Sequence, residues 1–60
     1  MSRANLTTFQ RATVTKIGEH LRQAAALAPK DPANAAVAAE AAAELLHKLA
    51  RDFALEEQYQ

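Results

Sequence analysis

The stretch Ala28-Pro29-Lys30-Asp31-Pro32 divides this 60-residue chain into two helix-forming halves. Pro29 has no N–H and disfavours helical angles in the residue before it, so a helix arriving from the N-terminal side stops at Ala28 or one residue earlier. Asp31-Pro32 then restarts one. The carboxylate of Asp31 can accept from the first free amides, its charge suits a helix N-terminus, and Pro32 occupies the first helical position, where its missing N–H costs nothing. A connection this short joins neighbouring antiparallel helices. The chain therefore reads as an all-α, antiparallel two-helix hairpin forming a single domain over 1–60, with helix one at about 5–28, a turn at 29–31 and helix two at about 32–57.

Outward from the turn, composition agrees. Sixteen residues are alanine against one glycine and two prolines, and such a chain favours helix throughout. Thr7-Thr8-Phe9-Gln10 fits a capping box at the start of helix one, with Ser2 and Asn5 as rival caps. At 100° per residue, Leu6, Gln10, Thr13, Val14, Ile17, Leu21, Ala24, Ala25 and Ala28 share one broad face of helix one. Ala35, Ala38, Ala42, Leu45, Leu46, Leu49 and Phe53 form that of helix two. Eight of the eleven residues from Ala33 to Ala43 are alanine, so the hairpin is expected to be thin near the turn and thick at its open end. Gly18 and Ala25 extend the small-residue seam, and close helix approach would account for a mid-helix glycine. Glu44 and Lys48, and Lys48 and Asp52, have the i,i+4 spacing of solvent-side ion pairs.

A chain of this size is marginal alone, the usual remedies are disulfides, a metal or oligomerisation, and cysteine is absent. Apolar residues are left over. Phe9 and Leu27, with His20 beside them, mark one flank on helix one, and Val37, Leu55 and Tyr59 mark another on helix two. A two-helix layer cannot cover both, which predicts a homodimer closing into a four-helix bundle, with these six residues as the dimer seam or a protein-binding site.

The sequence offers little for catalysis. Ser2 is the sole serine, no glycine-rich loop is present, and no cofactor is implied. Glu44-Leu45-Leu46-His47 has the Glu-x-x-His spacing of di-metal bundles, but it lies away from the leucine stripe and has no reciprocal motif, so no metal site is expected. No apolar run approaches the ~20 residues that span a bilayer, and Met1-Ser2-Arg3-Ala4-Asn5 leads into no signal-peptide core. The expectation is a soluble cytoplasmic protein.

Formal net charge is zero, yet residues 1–30 sum to +4 and residues 31–60 to −4. Arg11 and Arg22 share an exposed face of helix one with Thr15, and are the candidate nucleic-acid contacts. Aromatic residues for base stacking are not interleaved with them. Length, short turn, alanine seam and expected dimer together resemble the Rop type of plasmid copy-control protein. The resemblance is architectural, spans the chain at that level, and carries no motif residue by residue. It implies a homodimer of helical hairpins that binds paired RNA loops through its first helices. The residues themselves point first to a small non-enzymatic regulator, such as an inhibitor, anti-activator or adaptor of the kind phages and mobile elements encode, acting on another protein through an apolar flank. RNA binding of the Rop type is the alternative.

Overall fold

In the computed structural model, which describes residues 6–58, the chain is two α-helices packed against each other as a hairpin. Helix α1 spans Thr8–Leu27 and α2 spans Pro32–Gln58. No helix among the described residues is long and apolar enough to cross a membrane.

Local chemistry sets each boundary. Thr7 is the N-cap of α1: the Gln10 amide N–H donates to Thr7 Oγ1 at 3.1 Å, and the Thr7 N–H donates to Gln10 Oε1 at 3.0 Å. This reciprocal pair is the capping box expected at Thr7-Thr8-Phe9-Gln10, and it starts the helix at Thr8 because it satisfies two donors at once. At the other end Pro29 supplies no N–H, and α1 stops at Leu27. Ala28 nonetheless keeps right-handed helical angles (φ −51°, ψ −46°), contrary to the bias expected before proline. Its own N–H still reaches Ala24 O at 2.9 Å, so the helical path persists for one residue after the ladder has lost its next donor. Leu27 O then accepts from Lys30 N–H at 2.9 Å and from Asp31 N–H at 2.6 Å, which closes the turn without any positive φ. Asp31 caps α2 as expected. Its Oδ1 accepts from the Asn34 N–H at 3.2 Å, and its Oδ2 accepts from Asn34 Nδ2 at 2.7 Å.

The helices meet along a strip narrower than the periodicity suggested. Every residue in the series Gln10, Thr13, Ile17, His20, Ala24 and Leu27 is buried or half-buried. So is every residue in Ala35, Ala38, Ala42, Leu45, Leu49, Asp52 and Glu56. Both series alternate steps of three and four, the spacing of a coiled-coil seam. Ile17, Ala42 and Leu49 form the buried centre, with Leu45 packed against it. The expected broad faces are corrected here: Leu6, Val14, Leu21, Leu46 and Phe53 are exposed, and Ala25 and Ala28 are exposed with them. The reason is geometric. One neighbouring helix covers about two positions in seven, and a wider face needs a second neighbour.

Among the described residues a thick apolar open end is absent as well. That end of the seam is polar, built from Gln10, Asp52 and Glu56. Gly18 is also not where α2 comes close. A Cβ placed there would find one neighbouring atom within 4 Å, the exposed Arg22 guanidinium at 3.8 Å.

Candidate interaction surfaces and the polar clamp

Seam geometry divides the rest of the hairpin into two sides. In an antiparallel pair, residues immediately preceding the first member of each seam couplet lie on one side. Residues immediately following the second member lie on the other. The first set is Phe9, Lys16 and Gln23 on α1 with Asn34, Ala41, Lys48 and Leu55 on α2. Its members do gather: Phe9 lines an open depression with Lys48 and Leu55, and Gln23 lines another with Asn34 and Ala41. The second set, Val14, Leu21 and Ala28 with Ala39, Leu46 and Phe53, therefore forms the opposite side.

Of the six residues expected at a dimer seam or protein-binding site, the five described ones are distributed over the first side and the seam beneath it. Phe9, 67% exposed, and Leu55, 50% exposed, share the depression near the open end, together with His47, Arg51 and Asp52. His20 and Leu27 are half-buried in the α1 seam, not on an outer flank, and they line a depression near the turn with Val37. The structure thus brings residues of the two expected flanks together as two shallow mixed patches. Tyr59 lies outside the described residues. Lys16, Glu19, Glu44, Lys48 and Arg51 make this side strongly charged, and all five are exposed.

Arg11 and Arg22 are exposed, as expected of candidate phosphate contacts. Glu44 and His47 are likewise exposed. No group of three or more potential metal ligands forms among the described residues.

One feature was missed by sequence reading. Gln10, 1% exposed, clamps the two helices together. Its Nε2 donates to Asp52 Oδ2 at 2.8 Å and to Glu56 Oε2 at 3.0 Å, while its Oε1 serves the Thr7 cap. Both amide protons and the carbonyl are used, which is what burial of a polar group demands. Asp52 was expected to pair outward with Lys48, but it is half-buried and turned towards α1. The signal was available: Asp52 and Glu56 continue the alternating three-four series of Ala35, Ala38, Ala42, Leu45 and Leu49, opposite the one polar residue with two donors on the α1 stripe.

The second side is the other omission. Val14, Leu21, Leu46 and Phe53, 40–54% exposed, were read as part of the hairpin's own core. They stand outside it. The long series from Ala25 and Ala28 across to Ala36, Ala39, Ala43 and Ala50 is exposed around them, with no charged residue among them.

Comparison with known proteins finds no matching family model, curated protein or solved structure.

Proposed function

We propose that this chain is a non-enzymatic binding protein that pairs with a second copy to complete a four-helix bundle and then docks another protein. The supporting observation is the distribution of apolar bulk. Leu6, Phe9, Val14, Leu21, Val37, Leu46, Phe53 and Leu55 all stand exposed, while the buried apolar set is Ile17 and Leu49 with three alanines. Exposed apolar surface in excess of what a core buries marks interaction sites.

The chemistry of the surfaces favours protein over small molecule or nucleic acid. The depressions are shallow and open, and none encloses a substrate as ligand pockets do. Zero formal charge, with an acidic α2 beside a basic α1, blunts attraction to phosphate. Phe9, Val37 and Leu55, set among lysine, arginine and glutamate, have the make-up of an apolar anchor with a polar rim.

Affinity capture from a lysate of the source organism, with and without nuclease, tests this reading. The expected partner is a protein that survives nuclease and moderate salt, and is lost in Phe9→Ala or Leu55→Ala but retained in Arg11→Ala and Arg22→Ala. RNA retained by the chain, released with a log–log salt slope of roughly −0.7 to −0.9 per phosphate and lost in the two arginine variants, would replace it with the Rop-like alternative.

A further inference from the structure

We infer that the second copy docks on the uncharged side carrying Val14, Leu21, Leu46 and Phe53, in a two-fold arrangement whose axis passes near Gly18 on α1 and Ala43 on α2. This rests on the reading that the chain pairs with itself, and it adds which face is used and in which orientation. The loop of each hairpin then lies over the open end of the other.

Three observations converge on this face. The first is charge. Between Arg11 and Glu57 at its open-end margin none of the positions on this side is an ionisable residue, although the Arg22 guanidinium reaches Gly18 from the edge, whereas the opposite side carries Lys16, Glu19, Glu44, Lys48 and Arg51. A face that must be desolvated is depleted of charge, and a face that stays wet is not.

The second is bulk. Val14 and Leu21 straddle Gly18, four residues before and three after. A two-fold axis there sets Val14 of each copy beside Leu21 of the other. On α2 the same axis sets Leu46 beside Ala39 of the second copy, and carries Phe53 towards the thin end at Ala28 and Pro32. On α2 large meets small, while on α1 Val14 and Leu21 pair on either side of Gly18. With both loops at the same end, Val14 of one copy would crowd against Leu46 of the other and the alanine ends would gape. His20 lines one depression with Ala41, and Gln23 with Ala38, so Gly18 and Ala43 lie within about one turn of the same level and one axis can pass near both.

The third is Gly18 itself. Mid-helix glycine is unfavourable, and nothing in the hairpin requires it, since a Cβ there would meet only the flexible tip of Arg22. An approaching helix from a second copy does require it. The area is also adequate. A compact monomer of 6.5 kDa exposes about 3,800 Å², and this chain exposes 4865 Å². An elongated hairpin leaves more surface open than a compact monomer does, and a standard-size interface takes ~800 Å² from each partner.

The chain contains no cysteine, so single-cysteine variants report contacts cleanly. Sedimentation of the wild-type chain is run beside mild oxidation of Ala43→Cys and of Glu44→Cys, the neighbouring position on the charged side. The expected result is a wild-type dimer, a covalent dimer from Ala43→Cys, and none from Glu44→Cys. Gly18→Ala, which would strengthen an isolated helix, should instead weaken dimerisation about tenfold or more through overpacking. A wild-type dimer in which Glu44→Cys cross-links and Ala43→Cys does not overturns this face and leaves self-pairing standing. So does a wild-type dimer in which neither variant cross-links. Tighter dimerisation by Gly18→Ala overturns the close approach at that residue. A wild-type chain that sediments at its single-chain mass overturns both the face and the pairing.

Discussion

Gln10 is the residue on which the hairpin's open end depends. It links the α1 cap to two carboxylates on α2, so its side chain fixes register as well as helix start. Gln10→Ala removes hydrogen bonds to charged acceptors and leaves Asp52 and Glu56 near each other without the shared amide. Urea unfolding at fixed chain concentration should show a loss of about 2–3 kcal/mol. A loss below about 0.5 kcal/mol would mean that water replaces the amide at no cost. The Glu-x-x-His spacing is tested at the same scale. Glu44 and His47 are exposed and gather no third ligand among the described residues, so EDTA should leave the melting temperature unchanged and calorimetry with zinc or iron should show no stoichiometric heat. Stoichiometric binding abolished by His47→Ala would reopen a metal site. These two cases show what single residues disclose in sequence. An exposed charged motif could be judged from its position relative to the leucine stripe. The buried amide of Gln10 was legible only through its acceptors, since Asp52 and Glu56 show once the alternating series from Ala35 to Leu49 is continued, and a broad 100° projection hides that series.

At the scale of the element, each helix boundary follows from a few side chains around the turn and the first cap. Asp31→Ala should cost about 0.5–2 kcal/mol, read from the same unfolding curves, since it removes the acceptor of both described Asn34 bonds. Leu49→Ala, at the buried centre beside Ile17 and Ala42, should cost about 2–5 kcal/mol. Glu44→Ala, exposed, should change stability by less than about 0.5 kcal/mol, and equal losses from the two would contradict the assigned seam. The helices, turn and caps were legible because proline, aspartate and the threonine–glutamine pair act within four residues of themselves. The width of the packed face was not. A 100° projection shows which residues are apolar on one side, but the number of neighbouring helices decides how much of that side is covered. Val14 and Leu21 therefore looked like core beside Ile17, and Leu46 and Phe53 beside Leu49, although the hairpin leaves all four outside.

For the whole molecule, the narrow seam and the wide apolar face are two sides of one fact. The sequence is patterned for more neighbours than one hairpin provides. Among the described residues the buried apolar side chains are two large residues and three alanines, a small core for a chain without cysteine. The radius of gyration, 14.2 Å, exceeds the roughly 10 Å of a compact domain of this length, as a bare hairpin must. Pairing with a second copy would convert Val14, Leu21, Leu46 and Phe53 from exposed surface into core, and leave the charged side, with Phe9, Val37 and Leu55, for a partner. Sedimentation equilibrium across a range of chain concentrations tests that account most directly, with thermal melts on the same samples. A mass of about twice the 6.5 kDa chain, with a melting temperature that rises with concentration, is the predicted result. A folded species of 6.5 kDa at micromolar concentration, melting at the same temperature at every dilution, would contradict it.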